Sequence, residues 1–435
     1  MSSNFADKSG PDMTSQNIST FLQQTLALLG RLVALLATLL LCVPVLLLPQ
    51  ATAVPAWVWI PLGAINVALL VLFFRLKPAW KGAAVAVAGV FLVGATAVFA
   101  SQLFAMTPPI TDADGKPLAG SIAMLETVTL NGSEQWVSIR GQDATKPVLL
   151  FLAGGPGGSQ LATARFALGG LEEHFVVVNW EQPGAGKSFD AVDSATITPE
   201  RYIEDAHALV LLLRERFGQE KVYVLGESWG SALGVMLAQR YPELFHAFIG
   251  TGQMVAFLEN DQMCYDFALQ WAEERGDAAK VTALSQQGPP PYYGVDVAWQ
   301  EAAFLMDTFN YMNQNPAIAD NGANTFRDLA APEYGLYDKV SWFRGVIETL
   351  GVVYPQLWDV DFRTQATKLE VPVYFLIGRH DINAPVMLTE QYYDVLDAPH
   401  KEIVWFEHSG HTPWVSESDQ FVQTMVDTVL AQTQP

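Results

Sequence analysis

Positive charge is scarce in this chain. Of its 435 residues only 24 are Lys or Arg, against 45 Asp or Glu, for a formal net charge of −21. A nucleic-acid binder needs a basic face, so that class is excluded. Cysteine is scarcer still. Cys42 and Cys264 stand alone; they cannot build a disulfide framework, and no spacing suits a zinc site. No metal or cofactor is expected. Charge of either sign is thin at 16%, while 50% of residues are hydrophobic and 11% aromatic, which excludes intrinsic disorder. An apolar, charge-poor chain that is also strongly acidic is unusual for one soluble globule.

The two properties are separated along the chain. Residues 1–106 hold five basic residues (Lys8, Arg31, Arg75, Lys77, Lys81) and two acids (Asp7, Asp12), leaving 19 basic and 43 acidic residues, or −24, for the rest. Three apolar runs lie in this part, and spans at about 30–48, 55–74 and 83–106 are expected. The first, Leu32–Leu48, is short for a span, and it lengthens if extended back through Phe21, with Arg31 snorkelling near an interface. Arg75, Lys77 and Lys81 place the link between spans two and three in the cytoplasm. The N-terminus is then inside, and everything after Met106 is extracytoplasmic. Two alternatives stand beside this. The first run could be a signal sequence cleaved near Ala51-Thr52-Ala53, or the runs could be buried core helices.

After Met106 the pattern changes. Asn131-Gly132 signals a hairpin between Thr127–Leu130 and Gln135–Arg140. Short apolar runs follow at Pro147–Leu152, Phe175–Asn179, Val222–Leu225, Ala247–Ile249, Val371–Ile377 and Glu402–Phe406, as in strands buried on both faces. Helical stretches at Pro199–Phe217, Ser231–Arg240 and Phe421–Leu430 alternate with them. The fold class is α/β, with a largely parallel sheet. Met254–Lys368 is too long for a loop. The expected organisation is a membrane region at 1–106, a core at 107–253 and 369–435, and a helical cap at 254–368.

Gly226-Glu227-Ser228-Trp229-Gly230 follows a strand and opens a helix, the setting of a nucleophile elbow. The glycines permit the tight turn. The helix N-terminus favours negative charge developing at Ser228. A serine needs a general base. Of seven histidines, His411 is favoured, since it lies in a Gly-His-Thr-Pro loop just past the last strand; His408 is the alternative, and His400 is also late enough. Asp381, after the strand ending at Ile377, is the acid expected to orient the base; Asp359 and Asp361 precede that strand and are weaker choices. The oxyanion donors are the N–H of Trp229 and one in the loop Ala153–Ser159, with Gly155 favoured over Gly154. That loop lacks the Gly-Lys-Ser/Thr ending of a P-loop.

Gly154-Gly155-Pro156-Gly157, Gly226-Glu227-Ser228-Trp229-Gly230-Ser231, Trp180–Ser188 and Ser409-Gly410-His411 together resemble the signature stretches of the proline iminopeptidase family of α/β-hydrolases. The resemblance implies an α/β-hydrolase fold with a helical cap, and release of N-terminal residues from peptides through an acyl-enzyme. It also implies acidic cap residues that hold the substrate's free amino group. Three positions depart from the family pattern: Ala153 replaces its histidine, Glu181 its aspartate and Pro183 its arginine. Among the cap acids Glu259, Asp261 and Glu301, Glu259 is the expected amine anchor, because it closely follows a strand end. A surface helix position is the alternative for it. The expected protein is a membrane-anchored serine hydrolase acting on a peptide or small molecule. A carboxylesterase and a catalytically silent binding module are the other readings.

Overall fold

The computed structural model describes residues 15–319 and 324–433. Asp7, Lys8 and Asp12, and with them the expected cytoplasmic N-terminus, lie outside the described residues. The chain divides into two compact units, Met1–Phe104 and Ala105–Pro435.

The first unit is helical: α1 (Ser15–Leu41), α2 (Val43–Ala51), α3 (Ala56–Arg75) and α4 (Ala79–Leu103). Three segments are long and apolar enough to cross a membrane: Thr20–Ala51, Ala56–Arg75 and Ala79–Leu103. The first begins well before residue 30, and the third ends short of Met106. Lys81 belongs to α4 rather than to the link, because Pro78 at the N-cap starts that helix early. Small residues let the helices close on one another. Gly82, Ala86, Val90, Val93, Gly94 and Ala97 form the buried face of α4. A Cβ on Gly82 would lie 2.8 Å from the Phe73 carbonyl oxygen, and one on Gly94 3.0 Å from that of Leu41. The Arg31 guanidinium sits 5.8 Å above the Phe73 ring, close in sequence to the basic end of α3.

The second unit is built on an eight-stranded sheet: β1 (Ile122–Leu130), β2 (Ser133–Gly141), β3 (Val148–Leu152), β4 (Val176–Trp180), β5 (Val222–Glu227), β6 (Phe245–Thr251), β7 (Val373–Gly378) and β8 (Lys401–Phe406). Their order is β1-β2-β4-β3-β5-β6-β7-β8. The hairpin β1–β2 is antiparallel and turns at Asn131 and Gly132, both with positive φ (45° and 83°). From β4 to β8 the strands are parallel. β3, β4 and β5 are buried at every residue, which is why they read as unbroken apolar runs.

The chain leaves β3 to one side for β4 and then crosses to the other side for β5. The loops after β3 and β5 therefore splay apart at a topological switch point, where open α/β sheets bind ligands. Between β6 and β7 the chain forms a helical insertion. Its longest helices are Phe257–Glu274 and Val297–Gln314. Helix Leu336–Arg344 follows and passes into one π turn, Gly345–Thr349. The C-terminal helix, expected from Phe421, starts at Ser418 and passes through a π turn, Met425–Leu430, into Ala431–Thr433.

Candidate active site

Ser228 joins β5 to the helix Trp229–Arg240 with φ 54° and ψ −123°. This is a costly backbone conformation for a residue with a Cβ. Its surroundings impose it. The Ser228 N–H donates to the Thr251 carbonyl at 3.0 Å, and the Ser228 carbonyl accepts from Ser231 Oγ at 2.6 Å. A Cβ on Gly226 would run into the Gly230 carbonyl, and one on Gly230 into that of Leu152. Both flanking glycines are thus required by backbone-to-backbone packing. Trp229 is the first residue of its helix, and first-turn N–H groups have no partner within a helix. Its indole Nε1 donates to Gln182 Oε1 at 2.9 Å, and Gln182 Nε2 donates to the Ala153 carbonyl at 3.0 Å. These bonds couple the turn after β5 to the loop after β3.

Asp381 lies three residues past β7, and His411 five past β8. Asp381 Oδ2 is 2.9 Å from His411 Nδ1. Its Oδ1 accepts the N–H groups of Asn383 and Ala384, each at 2.9 Å. Both side chains are buried. Gly252, with φ +50°, passes beside the imidazole, and a Cβ there would lie 2.8 Å from His411 Cε1. The ring of Phe309 meets it edge-on at 5.9 Å. His408 is placed elsewhere: it is exposed, and its Nδ1 lies 3.3 Å from the Ala317 carbonyl. Asp361 is engaged by Arg363.

Two neighbours of the His411 imidazole were not expected from the sequence. Asn383 Nδ2 lies 3.2 Å from His411 Nε2, and Glu227 Oε1 lies 3.6 Å from the same nitrogen. Burial raises the Glu227 carboxyl above the usual range, against the pull of His411. Burial also works to lower His411, but the charge and hydrogen bond of Asp381 and the charge of Glu227 outweigh it, raising the imidazole to about 9. Gln160 links this pair to the loop after β3. Its Nε2 donates to Glu227 Oε2 at 3.1 Å, and its Oε1 accepts the Gly154 N–H at 3.1 Å. Gly155 has φ +133°. The elbow's second position, occupied by Glu227, was the available signal for this contact.

The departures from the family stretches have their own contacts. Glu181 is buried and accepts the Ser159 hydroxyl and, at 2.7 Å, the Lys187 N–H. Burial lifts it to about 7. Lys187 Nζ then pairs with Asp338 of the insertion at 2.7 Å.

The insertion's acids are divided. Glu259 is on the outside of its helix, paired with Arg363 and partly exposed. Asp261 and Glu301 are completely buried and face one another from two helices. Asp261 Oδ1 accepts from Asn260 Nδ2 at 3.0 Å and from the Tyr354 hydroxyl at 3.1 Å. Asp261 Oδ2 and both oxygens of Glu301 meet no donor among the described residues. Burial, then the Asp261 charge, drives the Glu301 carboxyl far above its ordinary range. Two carboxyls so placed share a proton. Asn260 Nδ2 also donates to the Asn383 carbonyl at 3.0 Å, so a hydrogen-bonded path runs from this pair to His411.

Residues 147–415, more than half of the chain, match the family model described as the alpha/beta hydrolase fold. A probable aminopeptidase of Bacillus subtilis is 29% identical over 314 residues, covering 71% of this chain and 97% of that protein. A proline iminopeptidase of Lactobacillus helveticus is 22% identical over 296 residues, covering 67% of this chain and 92% of that protein. Among solved structures, a proline iminopeptidase of Mycobacterium smegmatis aligns with a TM-score of 0.51 at 20% identity, covering 71% of this chain and 98% of that one.

Proposed function

Because this chain belongs to the α/β-hydrolase fold family, we propose that it is a membrane-anchored serine aminopeptidase of the proline iminopeptidase type. Ser228 Oγ attacks the carbonyl after the N-terminal residue, and its proton passes to His411 Nε2. Asp381 holds the imidazole by Nδ1 and stabilises its cation. The N–H groups of Trp229 and Gly155 take the oxyanion, since that of Gly154 is already given to Gln160. His411 then protonates the leaving amine; water attacks the acyl-enzyme as the imidazole takes a proton from it, and the imidazole returns that proton to Ser228 Oγ as the ester bond breaks and the acid leaves. The relatives' names support peptide substrates.

The observation that carries the aminopeptidase reading is the buried Asp261–Glu301 pair. A pair that holds one proton keeps one negative charge. Its unmatched oxygens suit an ammonium group, which would supply both the charge and the missing donors. We assign the amine anchor to Asp261 and Glu301 and not to Glu259, whose carboxylate is already bound by Arg363. The test is a panel of amino-acyl amides and esters, free and N-acetylated. Cleavage of free amino-acyl amides, abolished by N-acetylation, is expected. Turnover of simple acyl esters with no amino-acyl amide cleaved would establish an esterase instead.

The basic link around Arg75 and Lys77 supports a topology with the catalytic unit outside the cytoplasm. A reporter fused after the last residue should be active there, and a cytoplasmic signal would reverse the topology.

A further inference from the structure

The helix Leu336–Arg344 and the π turn that continues it are amphipathic in the inverted sense. After the buried Leu336 at the helix start, their inward positions carry polar or small residues: Asp338, Ser341, Gly345 and Thr349 are buried. Asp338 pairs with Lys187, and Thr349 Oγ1 donates to the Gly184 carbonyl at 2.7 Å. Their outward positions are Tyr337, Val340, Phe343, Val346 and Ile347, between 38% and 55% exposed. A surface helix in water turns its apolar stripe inward. A contiguous exposed apolar stripe marks a surface with a partner.

The chain's own tether identifies that partner. The Met106 N–H donates to the Pro332 carbonyl at 3.0 Å, and the Thr107 hydroxyl to Glu333 at 3.1 Å. Arg140 Nη1 donates to Thr107 Oγ1 at 2.7 Å while its Nε pairs with Glu172 at 2.6 Å. Residues 106 and 107 are therefore fixed against the segment that leads directly into Leu336. The last apolar helix ends at Leu103. Three residues of extended chain reach only about 10 Å.

We propose that the outward face of residues 337–347 rests on the lipid bilayer in which the N-terminal helices are embedded. Tyr and Phe side chains suit the headgroup boundary, and the aliphatic residues suit the outermost acyl layer. The proposal relies on the membrane-spanning reading of the N-terminal unit.

The full chain reconstituted into phosphatidylcholine–phosphatidylglycerol liposomes tests it. Val340→Cys is labelled with an environment-sensitive fluorophore. Glu220→Cys, at the opposite end of the sheet from the elbow, is the reference. The unsubstituted chain, whose Cys42 and Cys264 are buried, is the labelling blank. Nitroxide-bearing lipids should quench the label at 340 several-fold more strongly than the label at 220. Release of the chain by alkaline carbonate would overturn the spanning reading and the proposal with it. Retention in the bilayer with equal quenching at 340 and 220 would overturn the proposal alone. A blue-shifted label at 340 that lipid nitroxides do not reach would assign the face to a protein partner instead.

Discussion

Asp381 and Glu301 are both carboxyls with almost no contact with water, at 3% and 0% exposure. They are held in opposite ways. Asp381, three residues past β7, spends Oδ1 on two main-chain N–H groups and Oδ2 on His411. Glu301, in the helical insertion, meets no donor among the described residues. The main chain and His411 thus complete the Asp381 carboxylate, which fixes its position. The insertion leaves a buried acid unmatched, and a buried unmatched acid is costly unless a ligand completes it. In the proposed function this division separates bond-breaking, assigned to residues that follow strand ends, from substrate selection, assigned to the helical insertion.

The sharpest way to break this comparison is to remove the nucleophile. Ser228→Ala is expected to lower kcat by about 10⁶-fold, as serine removal does in other triads, with loss of fluorophosphonate labelling. Retained turnover would move the chemistry off the sheet. Asp381→Asn should lower kcat by about 10⁴-fold by leaving the imidazole in the wrong tautomer. The insertion predicts a different signature. Glu301→Gln should lower kcat/KM for free-amine substrates by roughly 10²-fold, in line with removing one partner of a buried charge pair. Ester hydrolysis of an N-blocked substrate should be unchanged. Equal losses on both substrates would place Glu301 with the catalytic machinery and erase the distinction.

The smallest effect concerns Glu227. His411 must be neutral to accept the serine proton, and the Glu227 charge favours its cation. Glu227→Gln removes that charge, so the imidazole pKa falls. The acid limb of the kcat/KM profile should then move to lower pH by about one unit, a shift equivalent to about 1.4 kcal/mol. An unmoved limb would mean that Glu227 is already protonated when the enzyme works.

The comparison also marks what could be read from the sequence. Ser228, Asp381 and His411 each sit a few residues past an apolar run. Two of them meet, Asp381 Oδ2 lying 2.9 Å from His411 Nδ1. The strands themselves were legible because β3, β4 and β5 are buried on both faces and their polar residues, Asn179 and Glu227, come only near their C-terminal ends. Their ends were less so, since β5 continues through Gly226 and Glu227 into the elbow. The acids of the insertion were not resolved. Glu259 and Asp261 are two residues apart, about 200° around a helix, so they face opposite sides. One meets Arg363 at the surface, and the other meets Glu301. Neither face is declared by the polar run Glu259-Asn260-Asp261, and the partner that defines the buried one is forty residues away. The elbow position of Glu227 was visible in the sequence, but its contact with His411 also depends on how the His411 loop folds back.

Gly345, in the π turn of the insertion, lies against the loop after β3 and the turn after β4. A Cβ there would collide with the Gly157 carbonyl and lie 2.8 Å from that of Gly184. Gly157 is equally tight against the Gly345 carbonyl. Main chain meets main chain at this junction, so it offers mutation almost no side chain to vary. Any diversification of this enzyme's tastes must therefore be written elsewhere. Phe309, Met312 and Ile318 pack around the His411 loop with replaceable side chains. A lineage could rewrite those positions repeatedly while the glycine seam stayed unedited.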